Sequence, residues 1–286
     1  MQTPISPNPS TGVTGTTHWG DVAEWYDAHV GDEGSEYHKE VILPGIMRLI
    51  EASAGQNEVA VKGKILDLAC GQGVLCRKLA KEGFTVTGID ASSRLLGFAR
   101  DRNEQDPLPI HYLMADATKL IDEKTGVLIE GLVSESYAAI TIILAIQNIS
   151  PLSPVWRACR ELLVTHGRLI LVMMHPCFRI PKESNWHWDD VTRSNSRVIN
   201  QYLTSKKVDI ETHPGQKARG EESPIVHHFH RPLQAYINTL GNAGMYIDHL
   251  EEWTSHKTDQ EGPKKAAMDR SRKEIPLFMA IRARKI

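Results

Sequence analysis

Three carboxylates, a pair of glycines and two histidines stand where this chain could do chemistry. Asp67 lies in a short apolar run, Ile65 to Ala69, that enters the turn Gly71-Gln72-Gly73. Asp90 ends a second run, Phe84 to Ile89, and Asp116 follows a third, Ile110 to Met114. Gln147 comes just after the buried-looking run Tyr137 to Leu144, and His175 directly after Arg168 to Met174. A carboxylate accepts hydrogen bonds from hydroxyls and amines. A neutral imidazole takes a proton from a hydroxyl or amine near neutral pH. His175 is therefore the first candidate for a general base or positioning group, His38 the second, and Gln147 a polar group that could orient a substrate. Each also has a plain alternative: Asp90 and Asp116 as helix caps, Gln147 as the end of a strand, the histidines as capping or exposed side chains.

The turn narrows the chemistry. Strand, glycine turn and a helical pattern from Val74 to Lys81 make a nucleotide-binding crossover. The glycines allow a tight turn and close approach of a ligand to the backbone. A dinucleotide site wants a third small residue where this chain has Cys76. Asp67, just ahead of the glycines, suits a ligand with a positive amino group better than one with phosphates. Asp90 stands 17 residues past Gly73, near the roughly 20 expected of an acid that holds a ribose. That role serves either kind of ligand.

The elements that must position these groups alternate. After the second strand a helix is expected from about Ser93 to Asn103, and Ser153-Pro154 opens another, with Ser153 as its N-cap, running to Val164 and ended by Gly167. Alternation predicts a parallel sheet with helices on both faces, with ligands outside the carboxyl ends of the strands. Residues 1–17, rich in Thr, Pro, Ser and Gly, are expected to be a flexible tail, and 18–60 to form a helical leader. The stretch 175–230 is too long for an ordinary connection and is expected to form a cap or extended hairpin. A helix from Pro232 to Ala243, a strand from Met245 to Glu252, a charged mobile loop over 253–274 and a closing strand from Ile275 to Arg284 complete the chain.

Asp-Leu-Ala-Cys-Gly-x-Gly, residues 67 to 73, resembles the first motif of the class I S-adenosylmethionine (SAM)-dependent methyltransferases of the small-molecule type. The resemblance implies a Rossmann-like, seven-stranded, mostly parallel sheet, with the expected cap inserted after the fifth strand, and SAM as cofactor. It implies that Ala69, Cys70, Gly71 and Gly73 hold the methionine part while Asp67 anchors its amino group. Asp90, with Ala91 beside it, would hold the ribose. Asp116 would take the adenine amino group and the Ala117 N–H a ring nitrogen, with Leu144 and Ala145 alongside. Trp-Tyr-Asp, followed by a glycine-rich link and Tyr-His-Lys-Glu, is similar to the family's leader, which makes Tyr26 and Tyr37 lid contacts. Packing of the leader onto the core explains these aromatics equally well. Two departures stand out: Ala138 where the family often has an acid, and His166 in place of a glycine.

The bulk properties set bounds. At 286 residues and 41% hydrophobic content the chain can bury a sizeable core, and its net charge of −2 gives no global basic field, so nucleic acid is not an expected partner. RNA or protein as acceptor, or a cofactor-binding module without catalysis, are the alternatives. The four cysteines form no Cys-x-x-Cys pair, which fits reduced thiols in a cytoplasmic protein. No signal peptide and no membrane span of about 20 apolar residues is expected. His227, His228 and His230 have no acid or cysteine at ligand spacing, so no metal site is expected. Composition does not set the oligomeric state. The aromatic and imidazole groups of 175–230 suit a small apolar or aromatic acceptor.

Overall fold

The computed structural model describes residues 18–51, 63–211 and 225–285. The expected tail 1–17 and the end of the expected leader, 52–60, lie outside the described residues.

Seven strands form the central sheet: β1 (Lys64–Leu68), β2 (Thr85–Asp90), β3 (Ile110–Met114), β4 (Tyr137–Ile143), β5 (Leu163–Met174), β10 (Met245–Trp253) and β11 (Phe278–Lys285). Their order is β10-β11-β5-β4-β1-β2-β3. β1 to β5 pair in parallel, and β11 runs antiparallel to both of its neighbours. The strand order reverses at β1 and β4, which opens a crevice at their carboxyl ends.

Period-two side-chain alternation explains why the strands bury both faces. Leu66 and Leu68, Ile140 and Ile142, and Leu169 and Leu171 point to one face, where α5 (Ser153–Leu162) and α6 (Leu233–Asn242) bring Trp156 and Tyr236. Ile65, Ala139, Ile170 and Val172 point to the other. There α2 (Leu43–Glu51) and α3 (Val74–Lys81) cover them with Ile46, Ile50, Leu75 and Leu79, and α4 (Ser93–Gln105) adds Leu96. Each of these aliphatic side chains contributes about 1.5–3 kcal/mol when fully buried.

The leader is helical: a 3-10 turn His18–Val22, α1 (Ala23–Val30), a π turn His38–Ile42 and then α2. Arg102 on α4 pins it, bonding both carboxylate oxygens of Asp27 (2.8 and 3.0 Å) and Asp32 (2.6 Å).

Three expectations are corrected. Ser153 is the first residue of α5 rather than its cap; Leu152 holds the cap position and no side chain bonds there. The helix ends at Leu162, and Gly167 lies inside β5, because Leu163 already pairs with Tyr137 and the register then shifts to Ala139–Arg168. The charged stretch 253–274 is not all loop: α7 (Lys265–Glu274) is anchored to the insertion by Ser271 Oγ, which donates to the Asn195 carbonyl at 2.7 Å.

The insertion after β5 is two separate hairpins. β6 (Ser184–Asp189) pairs with β7 (Ser194–Ile199), and β8 (Lys206–Glu211) with β9 (Ile225–His230). Neither hairpin joins the central sheet.

Candidate active site

β1 delivers Asp67 to the crevice at the strand-order reversal. The carboxyl is buried and sits opposite Thr141 of β4 in the sheet register. Thr141 Oγ1 donates to one oxygen at 2.7 Å and Cys76 Sγ to the other at 3.4 Å. Burial, with the nearby Asp90 adding to it, pushes the Asp67 carboxyl up to about 7.

The glycine turn follows directly. Ala69 takes a left-handed backbone (φ 60°), as do Gly71 (56°) and Gly73 (81°). A side chain at Gly73 would meet the Tyr112 hydroxyl at 2.4 Å, so sterics demand glycine there as well. The Cys70 N–H donates to the Ile89 carbonyl at the end of β2, and the Gly73 N–H to the Cys70 carbonyl. Asp90 completes the scaffold: its carboxylate accepts from the Gly71 N–H and the Ser92 N–H, both at 2.8 Å. Ser92, not Asp90, caps α4, accepting from the Leu95 N–H at 3.3 Å. Burial raises the Asp90 carboxyl above the usual carboxylate value, against the backbone N–H groups of Ser92, Gly71 and Ala91, which favour its charge.

A cavity opens above this turn. It is lined by Asp67, Ala69, Cys70 and Gln72 from below, by Ile143 from the end of β4, and by Tyr26, His38 and Leu43 from the leader. Burial and the neighbouring Asp90 and Asp67 push the Tyr26 phenol up to about 12. Burial lowers the His38 imidazole, whose Nδ1 lies 2.9 Å from Ser35 Oγ. Leu144, also left-handed (φ 54°), and Ala145 follow Ile143 at the carboxyl end of β4. Ala91 follows Asp90. Asp116 turns the chain after β3, accepting from the Thr118 N–H (2.9 Å) and hydroxyl (2.8 Å), and the next residue, Ala117, is buried in the core.

Three residues expected at the site lie elsewhere. Gln147 pairs through its amide with the Met174 backbone, donating to the carbonyl and accepting from the N–H at 3.1 Å each, so it fixes the end of β5. His175 is enclosed: Nδ1 accepts from the Cys177 N–H at 3.2 Å, which places the proton on Nε2, 2.7 Å from Glu252 Oε1. With both nitrogens engaged it offers no free lone pair to a substrate. Tyr37 packs edge-on against Phe278 and His256, and its hydroxyl lies 3.2 Å from Ser255 Oγ.

Other residues escaped the sequence reading. Arg77 donates to the Gln72 carbonyl (2.6 Å), the Gln72 side chain (2.9 Å) and the Asp32 carbonyl (2.6 Å), and Gln72 Nε2 donates to the Gly31 carbonyl (2.7 Å). Together they strap the leader to the glycine turn. Thr141 carried one signal, as the only polar side chain in Ala-Ile-Thr-Ile-Ile. A wider cleft lies between α5 and α6, lined by Arg157, Arg160, Glu161 and Thr239, and none of the candidate site residues lines it.

The sequence profile of a family described as "Methyltransferase domain" matches residues 65–167, the segment from β1 into β5. Over 104 residues the chain is 32% identical to a ubiquinone biosynthesis O-methyltransferase of Pasteurella multocida, covering 36% of this chain and 43% of that protein. A SAM-dependent methyltransferase structure from Mesorhizobium loti superposes with a TM-score of 0.57 at 25% identity, covering 78% of this chain and 90% of that one. Residues 65–167 thus match a methyltransferase domain, and the described fold is that of SAM-dependent methyltransferase structures. A second structure, from Listeria monocytogenes, shares the fold with a TM-score of 0.58 at 21% identity over 85% of this chain and 97% of that one. The chain spans less than half the length of the curated relatives it matches.

The cofactor of these methyltransferases, SAM, fits the crevice on electrostatic grounds. Asp67 lines the cavity, Asp90 lies just behind it, and no lysine or arginine does so. The Arg77 guanidinium is spent on carbonyls and on Gln72. A ligand with an ammonium and a sulfonium compensates two buried carboxylates; a pyrophosphate would add to their repulsion. Among the described residues no group of three His, Cys, Asp or Glu side chains gathers to hold a metal, and no helix is long and apolar enough to cross a membrane.

Proposed function

We propose that this protein transfers the methyl group of SAM to a small-molecule acceptor. The observation that carries the reading is the cavity at the end of β1, lined by Asp67 and by no lysine or arginine. Asp67 would hold the cofactor's ammonium against Ala69, Cys70, Gly71 and Gly73. Asp90 and Ala91 would hold the ribose, since each Asp90 oxygen keeps a second lone pair beside its backbone bond. Asp116, Ala117, Leu144 and Ala145 would receive the adenine, and Tyr26 would cover the site. When bound, the cofactor supplies a methyl group on a positively charged sulfur that needs only an aligned nucleophile.

The chain's own part is to align the acceptor and exclude water. Residues 18–51 act as a lid, strapped down by Gln72, Arg77 and Arg102, and the described insertion residues 175–211 and 225–230 as a cap over the acceptor. His38 lines the cavity and burial keeps its ring neutral near pH 7. With Nδ1 directed to Ser35, its Nε2 can accept a proton from an acceptor hydroxyl or amine. His175 and Gln147 serve as supports that fix the end of β5 rather than as chemical groups. Relatives that act in ubiquinone biosynthesis favour a small acceptor over RNA or protein.

Calorimetric titration with S-adenosylhomocysteine and, separately, with NADH tests the reading. Binding of the first alone is expected. Preference for NADH, or silence with S-adenosylhomocysteine, overturns it and every site assignment with it.

A further inference from the structure

The first turn after β5 carries a cation that the protein leaves unanswered. Arg179 follows β5 by five residues, and its N–H closes the turn on the His175 carbonyl at 2.8 Å. Its guanidinium makes no hydrogen bond and no ion pair among the described residues, and its Nε is shut off from solvent without a partner. It stacks over Trp186 of β6, with 5.3 Å from its central carbon to the ring centroid. Arg197 of β7 stacks on the same ring at the same distance, yet it is anchored: Nε donates to the Phe178 carbonyl and Nη2 to Ser184 Oγ, both at 2.7 Å. Acids on neighbouring segments are committed elsewhere, Glu252 to His175, Glu36 to Lys257 and Glu183 to Lys206. Burial and the adjacent Arg197 bring the Arg179 guanidinium down to about 10, so it is still charged at neutral pH.

A half-buried cation without a counter-ion is costly, and an oxyanion that pairs with it recovers that cost. Its position suits an acceptor. Tyr37, from the lid, lies within electrostatic reach of Arg179 and packs on Phe278. His38, the next residue after Tyr37, lines the SAM cavity, so one stretch of the leader faces both the cavity and Arg179. Phe178 packs on His175, with ring centroids 4.7 Å apart.

We infer that the methyl acceptor is a small aromatic or apolar molecule bearing an anionic oxygen group, a carboxylate or a phosphate, and that Arg179 holds that group through its outer N–H groups. The inference rests on the methyltransferase reading for the word acceptor, but the anion site stands on its own residues. Trp186 and Arg197 set the guanidinium's plane and add to the positive field; neither is needed to touch the anion.

The test follows the arginine Nε–H signals by NMR while benzoate, phenyl phosphate and neutral benzamide are titrated, with and without S-adenosylhomocysteine. The Arg179 signal is identified by its loss in Arg179→Lys. We expect it to shift with benzoate or phenyl phosphate and not with benzamide, the tighter of the two anions assigning the group. Arg179→Gln should weaken anion binding at least tenfold, Arg179→Lys less, with S-adenosylhomocysteine affinity unchanged in both. Equal binding of benzoate and benzamide, or unchanged anion affinity in Arg179→Gln, overturns the inference. Failure of S-adenosylhomocysteine to bind, with the anion shift intact, removes the methyltransferase reading alone.

Discussion

The Asp90 carboxylate holds two backbone N–H groups and the Arg77 guanidinium two backbone carbonyls, whereas the Arg179 guanidinium in the insertion holds nothing. Around the glycine turn the chain answers its charged groups, although the Tyr112 hydroxyl beside Gly73 is buried without a partner. That region is built before any ligand arrives, and its side chains serve fold and site together. In the insertion, Trp186 and Arg197 of the first hairpin, outside the central sheet, stack beside Arg179, whose guanidinium keeps spare hydrogen-bonding capacity. Changes at the turn should therefore cost stability and binding together. Changes at Arg179 should cost binding alone.

The largest effect is expected from Gly73→Val. The new Cβ would stand 2.4 Å from the Tyr112 hydroxyl at a φ of 81°, for a loss of about 3–5 kcal/mol in urea unfolding and no measurable S-adenosylhomocysteine binding. A stable, binding-competent variant would show that the turn is less rigid than the comparison requires.

The Asp67 carboxyl should make stability depend on pH. Its folded value of about 7 lies above the ordinary 3.8, so the folded state holds a proton that the unfolded chain releases between them. The stabilisation is complete below pH 3.8, falls as pH rises and is gone above about 7. From pH 4 to 8 the loss should be about 2–4 kcal/mol. Asp67→Asn should remove it, read as the difference between the two unfolding series. S-adenosylhomocysteine, with its ammonium, should bind more tightly as the carboxyl ionises from pH 6 to 8. A flat difference curve would mean that Thr141 and Cys76 hold the charged form better than burial opposes it.

Asp90→Asn turns an amide N–H toward one of two backbone donors. It should cost about 1–3 kcal/mol and weaken S-adenosylhomocysteine about 100-fold by calorimetry. Intact stability with the same loss of affinity would make Asp90 a ligand group only and blur the distinction drawn above. Arg102→Ala frees α1 from Asp27 and Asp32 on a partly exposed surface. About 1 kcal/mol is expected, with faster hydrogen exchange over residues 23–30 and little change in the sheet.

The sequence carried the turn region well because its signals are local. Gly71 and Gly73 sit where a positive φ is needed, the strand runs are contiguous, and acids follow strands β2 and β3 directly. Predicted strand and helix bounds around the turn agree with the structure to within a residue or two. The failures lie where partners are remote. His175 looked like a base because it follows a strand, but Cys177 and Glu252 claim its two nitrogens, and Glu252 stands 77 residues away. Gln147 looked like a substrate group but completes the backbone pairing of Met174. Gly167 read as a helix stop because nothing local announces that Leu163 already pairs with Tyr137.

The chain by itself determined the alternation of strands and helices, the glycine turn and the acids placed at its strand ends. Each depends on steric preference and hydrophobic period within a few residues. Only the tertiary structure decided which polar groups are spent and which are free. Hydrogen-bond satisfaction is a property of neighbours in space. Asp90 and Arg179 are both charged residues beside a strand end, and what separates them is what the rest of the fold brings within 3 Å.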